Sequence, residues 1–255
     1  MVVNPSVNLN PSIIRLECVT FDYGGHEVMR EVDLEIKRGE TKIILGPSGV
    51  GKTTILKAIL GLLKPKHGKI YIHEQEISKL PERELVKIRL RMAMVFQGGA
   101  LFDSMTGGEN VSFRLREHGL ADPDTIRRRV DEVLQFVGLH GAVKLRPAQL
   151  SGGMKKRVAI ARALALHPEI FLFDEPTVGL DPVNLYNIEQ LILKLKQTRS
   201  ASLIIVTHDV GSAMRLGDSV AMLHDGKIIF EGTPEALKGQ TDKRVQSFLD
   251  PAHIL

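Results

Sequence analysis

The chain has 255 residues, 43% hydrophobic and 25% charged, with a formal net charge of +4 and a pI near 9.1. That composition excludes a disordered polyelectrolyte and suits one large domain or two small ones with a sizeable core. The mild basicity permits contact with nucleic acid or anionic lipid without requiring either, and no apolar run approaches the roughly 20 residues that cross a bilayer.

Residues 1–12 carry Asn, Pro and Ser without periodicity and read as a flexible N-terminal tail. The opening Met1-Val2-Val3-Asn4-Pro5-Ser6 lacks the basic and apolar regions of a secretory signal, so the protein is expected to stay in the cytoplasm. Alternating segments follow at Ile13 to Phe21, Val28 to Ile36 and Lys69 to Ile72, bounded by Gly-Gly and Arg-Gly turns, and predict a small antiparallel layer. The single cysteine, Cys18, continues the apolar alternation of Ile14 and Leu16 and reads as a strand residue without a redox role.

Thr41 to Leu45 is an apolar run, and Gly46-Pro47-Ser48-Gly49-Val50-Gly51-Lys52-Thr53 follows it directly. This fits G-x-x-x-x-G-K-[ST], in which glycines aim backbone N–H groups inward and a following helix points its positive end at a phosphate. Lys52 is expected at the β- and γ-phosphates and Thr53 at Mg²⁺. Ile55, Leu56, Ile59 and Leu60 recur behind them at helical spacing.

From about Phe102 to Leu166 the pattern turns helical, with Val130, Val133, Leu134 and Val137 on one face and Gly138 at a helix end, predicting a helical insertion in an α/β core. Arg127-Arg128-Arg129 and Lys155-Lys156-Arg157 read as solvated faces, and no aromatic residues interleave with them as a nucleic-acid platform would need. Ile170 to Phe173 and Leu203 to Val206 are continuous apolar runs, expected as parallel strands buried on both faces. Asp174 and Glu175 end the first of these runs, where ligands bind in such sheets. Asp174 is placed to hold Mg²⁺ through water and Glu175 to polarise an attacking water; a pair of exposed acids capping a loop is the competing reading. His208 follows the second run and is expected at a γ-phosphate. Thr233-Pro234-Glu235 opens a helical C-terminal tail through Val245 and Phe248, assigned to 237–255.

Leu150-Ser151-Gly152-Gly153-Met154 offers a hydroxyl and two glycines where a further helix begins, a second anion-binding terminus in one chain. With the phosphate loop, Gln97, Asp174-Glu175, Gly179-Leu180-Asp181 and His208 in order around it, the sequence resembles the ATP-binding cassette (ABC) family over about Ile13 to Gly232. The resemblance implies a P-loop NTPase (RecA-like) α/β core over residues 13–236, with an antiparallel β subdomain and an inserted α-helical subdomain at about 98–166. It implies an ATPase that pairs head to tail as a homodimer, with ATP and Mg²⁺ as cofactors. Tyr23 would stack on adenine, residues 46–53 and Thr54 would line the nucleotide site, and Gln97 would sense the γ-phosphate and metal. Ser151, Gly152 and Gly153 would contact phosphate across the dimer, and Asp181 would link the two sites. Met154 departs from the glutamine usual at the end of the signature, which questions the detail of nucleotide contact there.

The core Gly99-Ala100-Leu101-Phe102 and the Gly-Gly-Met signature are similar to the Mla/Mce-associated lipid-transport subfamily, as is Arg244-Val245-Gln246-Ser247-Phe248-Leu249. That likeness implies integral membrane permease partners, a lipid-binding Mce-type subunit and a place on the cytoplasmic face of the inner membrane. Leu101, Phe102 and Met105 are then expected as an apolar patch that receives the permease, or else as packing inside the helical subdomain. Two further readings stay open: an importer of amino acids or other small solutes, and a non-transport soluble ABC ATPase acting on nucleic acid or ribosomes.

Overall fold

Alternation of apolar residues builds the first layer. In the computed structural model, which describes residues 11–119, 121–199 and 201–250 without the side chains of Tyr23, His26, Thr198 and Arg199, strands β1 (Ser12–Tyr23) and β2 (His26–Lys37) form an antiparallel hairpin across Gly24-Gly25. Strand β3 (Thr41–Leu45) leaves this layer and runs into helix α1 (Lys52–Ile59). The chain returns as β4 (His67–Ile72), antiparallel to β1, and the short β5 (Gln75–Glu76), giving a four-stranded sheet in the order β2-β1-β4-β5. The tail assigned to residues 1–12 lies outside the described residues except for its last two, and Ser12 already belongs to β1.

The alternation does not carry Cys18 inward. Glu17 pairs with Lys69 but the next registered pair is Thr20 with His67, and the bulge between them turns Cys18 out with φ of 46°. Cys18 is exposed, its N–H donates to Asp33 Oδ1 at 2.9 Å, and the Asp33 carboxylate raises its thiol pKa above the usual value.

Helix α2 (Glu82–Arg89) leads to β6 (Met92–Val95), and the helical insertion follows as α3 (Gly107–Glu117), α4 (Pro123–Phe136) and α5 (Gly152–Leu164). Each start is written in the sequence. Thr106 caps α3 in a reciprocal pair with Glu109, Asp122 caps α4 ahead of Pro123, and Gly138 closes α4 with its N–H on the Gln135 carbonyl. Two members of the basic runs are not solvated as expected. Arg129 and Lys156 are each 7% exposed, and Arg129 donates to the carbonyls of Leu164 and Ala165 at the end of α5.

The rest of the core alternates strand and helix: β7 (Ile170–Asp174), α6 (Pro182–Arg199), β8 (Ser202–Thr207), α7 (Val210–Leu216), β9 (Ser219–His224) and β10 (Lys227–Gly232). A six-stranded sheet runs β10-β9-β3-β8-β7-β6, parallel throughout except for β10. Its two faces divide the core by strand parity. Ile44, Leu172, Ile204 and Val206 pack with α1 and the first sheet, while Ile43, Leu45, Phe171, Phe173 and Ile205 pack with the helical insertion, α6 and α7. Helices α8 (Pro234–Lys238) and α9 (Lys243–Leu249) end the described chain, held to the second core by fully buried Leu237 and Val245. No described helix is long and apolar enough to cross a membrane.

Candidate active site

Parallel pairing of β3, β7 and β8 brings their carboxyl ends to one edge, and the loops leaving that edge carry the expected residues. The loop after β3 turns into α1 through Gly51, whose φ of 106° is the left-handed conformation that glycine adopts without strain. Lys52 opens the helix 6% exposed and folds back over the loop, donating to the carbonyls of Gly46 at 2.8 Å and Pro47 at 3.0 Å. Thr53 Oγ1 donates to Asp174 at the end of β7, with the two carboxylate oxygens at 3.0 and 3.2 Å. Burial pushes the Asp174 pKa up; the neighbouring Glu175 charge adds to the rise, while the Thr53 hydrogen bond and Lys52 oppose it.

Glu175 has φ of 47°, a left-handed backbone that costs a non-glycine residue about 1–2 kcal/mol. This conformation comes with an N–H bond to the Val206 carbonyl at 3.0 Å and a carboxylate directed into the cleft. Oε1 lies 3.0 Å from His208 Nδ1 and 3.3 Å from Lys52 Nζ, whereas Oε2 is buried with no hydrogen-bond partner among the described residues. Ser48, Gly49, Lys52, Thr53, Gln97, Asp174, Glu175 and His208 together line one cavity of about 290 Å³. Its donor set fits Mg²⁺. A hydroxyl and a buried carboxylate face each other beside a second acid, hard oxygen ligands that suit an ion that keeps waters and phosphate oxygens as further ligands.

The second anion-binding terminus is not part of that cavity. Ser151 and Gly152 are exposed at the start of α5, where Ser151 Oγ accepts the Met154 N–H at 3.2 Å. Gly153 is buried beneath Asn184, and a Cβ at that position would overlap the amide side chain. Asn184 in turn donates to Asp181 Oδ2 at 2.6 Å, and Asp181 Oδ1 accepts the N–H groups of Val183 and Asn184, so Asp181 caps α6. Met154 packs partly buried against the helical core. The stacking expected of Tyr23 lies outside the described side chains.

The patch expected after Gln97 is divided. Leu101 packs partly buried against the helical core, Phe102 is 41% exposed with its ring 4.7 Å from Phe113, and Met105 lines a groove of about 360 Å³ with Phe113 and Arg116. Asn110, fully buried, holds this segment by accepting the Phe102 N–H at 2.8 Å and donating to the carbonyls of Phe102, Met105 and Thr106. Sequence reasoning missed Asn110, Lys156, Arg162 and Asn184 as supports of the site. A signal existed for Lys156, because Ala159, Ile160 and Ala163 follow it at helical spacing and are buried.

A family profile described as "ABC transporter" matches residues 29–178. The chain is 42% identical over 241 residues to the intermembrane phospholipid transport system ATP-binding protein MlaF of Haemophilus influenzae, covering 94% of this chain and 91% of that one. It is 40% identical over 241 residues to the probable ribonucleotide transport ATP-binding protein mkl of Mycobacterium leprae, covering 94% and 70%. Among solved structures, the dimeric post-hydrolysis state of the ATP-binding cassette MJ0796 bound to ADP and Pi superposes with a TM-score of 0.79 at 37% identity, over 87% of this chain and 98% of that one. A profile spanning more than half the chain, relatives alike over nearly its full length and a phosphate loop facing paired acids across one cavity place this chain in the ABC transporter ATP-binding family.

Proposed function

We propose that the chain hydrolyses ATP at two sites shared between two copies and so drives a separate membrane permease that moves phospholipid. The observation that carries the catalytic part is Glu175, a lining residue of the cavity whose Oε1 is held by both Lys52 and His208. Lys52 would leave the Gly46 and Pro47 carbonyls for the β- and γ-phosphates, exchanging two neutral acceptors for charged ones. Thr53, Asp174 and Gln97 would hold Mg²⁺, which neutralises charge on the phosphates during in-line transfer. The Glu175 carboxylate would accept a proton from the attacking water, and His208, bonded to its Oε1, would keep the carboxylate aimed while reaching the γ-phosphate.

Ser151 and Gly153 would close on the ATP held by the other copy. Their separation from the cavity supports this, as do Val183 and Tyr186, 70% and 59% exposed beside Asp181, an apolar surface suited to a second copy. The likeness to a protein named for intermembrane phospholipid transport supports the lipid substrate, and the Met105–Phe113 groove supports permease docking. In this reading the chain sits on the cytoplasmic face of the inner membrane, held there by its permease and an associated Mce-type lipid-binding subunit.

The likeness to a protein named for ribonucleotide transport favours a second reading, import of a small solute. Gentle detergent extraction of the tagged chain decides between them. Recovery of a permease with bound phospholipid supports the first reading, and recovery with a solute-binding protein and no lipid supports the second. Glu175→Gln should retain ATP and lose turnover, and wild-type turnover in that variant would end the catalytic assignment.

A further inference from the structure

Helix α5 carries two basic side chains, the buried Lys156 and the half-buried Arg162, that donate to backbone carbonyls of other segments. Lys156, 7% exposed, donates to the Gln97 carbonyl at 2.5 Å and to the Glu175 carbonyl at 3.3 Å. Further along the helix, Arg162 donates to the carbonyls of Gly99 at 2.8 Å and Ala100 at 2.7 Å, two residues whose φ values of 77° and 47° turn the chain through a left-handed kink. Burying an ammonium on neutral acceptors is costly, and burial depresses the Lys156 pKa against the favourable charges of Glu175 and Asp174. An apolar side chain would fill the same space more cheaply, but it would leave the two carbonyls without this donor.

We propose that Lys156 is a positioning residue of the hydrolytic site, clamping the backbones of Gln97 and Glu175 onto α5 so that all three move as one body. The same helix begins with Ser151 and Gly153. Lys156 therefore connects, within one subunit, the ATP that this copy hydrolyses to the ATP that it closes over on the other. The inference rests on the reading of Gln97, Glu175 and the Ser151 turn given above.

The test compares Lys156→Met, which keeps chain length without the donor, with Lys156→Arg, which keeps charge and donors, in the full-length chain. Turnover at saturating Mg-ATP, KM, Tm and amide hydrogen exchange over residues 97–102 are measured for each. Lys156→Met should lower kcat by about 10- to 100-fold, the loss expected for a displacement near 1 Å, while KM changes less than about 3-fold. Exchange at 97–102 should quicken, and Lys156→Arg should restore both kcat and protection. Should Lys156→Met fail to fold, Lys156→Leu, which also lacks the donor, is read by the same criteria. Wild-type kcat in the Met or Leu variant, unchanged exchange at 97–102, or an Arg variant no better than the Met variant at equal Tm would overturn the proposal. Exchange at 97–102 needs no turnover, so it tests the clamp separately from the catalytic reading, which wild-type turnover in Glu175→Gln would defeat.

Discussion

Asn110 offers a sharp stability test, because one side chain holds a whole segment. It is fully buried, and its amide meets the Phe102 N–H at 2.8 Å and the carbonyls of Phe102, Met105 and Thr106 at 3.0–3.2 Å. Asn110→Ala removes four contacts made by one acceptor and two donor hydrogens, so three full bonds are lost. At about 1 kcal/mol net for each, the loss is about 3 kcal/mol. Two corrections oppose each other. Leaving a buried N–H unpaired adds cost, whereas Phe102 is 41% exposed, so water reaches part of the vacated segment. For a chain of this size about 3 kcal/mol lowers Tm by about 6–12 °C, measurable by thermal unfolding, with faster amide exchange at 102–106. Asn110→Asp should be worse than Ala, since it sets a buried carboxylate against three carbonyl oxygens. A fall in Tm under about 2 °C with unchanged exchange, or an Asp variant at least as stable as wild type, would refute the reasoning.

Asp174 should trade stability for function. Its pKa is raised by burial, so the folded chain binds that proton more tightly than the unfolded one; stability from this group is present in full below the usual carboxylate range and is lost as pH rises through the raised folded value. At neutral pH, Asp174→Asn should therefore raise the Tm of the nucleotide-free chain, while Mg-ATP stabilises the variant less than wild type. A lower Tm in differential scanning calorimetry would contradict this. Cys18 is exposed yet should alkylate slowly, because the adjacent Asp33 carboxylate disfavours the thiolate. Iodoacetamide labelling at pH 8 should quicken in Asp33→Asn, and equal rates in the two proteins would count against that electrostatic account.

The phosphate loop and its helix were legible because Gly46 to Thr53 constrains backbone and chemistry together, and β7 and β8 because Ile170 to Phe173 and Leu203 to Val206 are buried on both faces. The same reasoning placed Cys18 in a strand, where the structure has it, but did not foresee its exposure. A period-2 pattern does not announce where one residue bulges out, and the register pairs of Glu17 and Thr20 reveal it only once β4 is in place. It also assigned Lys156 and Arg129 to solvent, since charge alone says exposed while their acceptors are backbone carbonyls contributed by distant segments. Likewise Asp181 is recognisable from its motif, whereas its link through Asn184 to Gly153 depends on how α5 and α6 pack.

The central claim is that each ATP is shared between the phosphate loop of one copy and the Ser151 turn of the other. Lys52→Ala and Ser151→Ala are purified separately, shown to be impaired in ATP turnover, then mixed at equal concentration. One mixed dimer has a site with both defects and a site with neither, so turnover in the mixture should exceed the mean of the two parents. Turnover equal to that mean at every mixing ratio, with mixed dimers shown to form, would contradict the shared site.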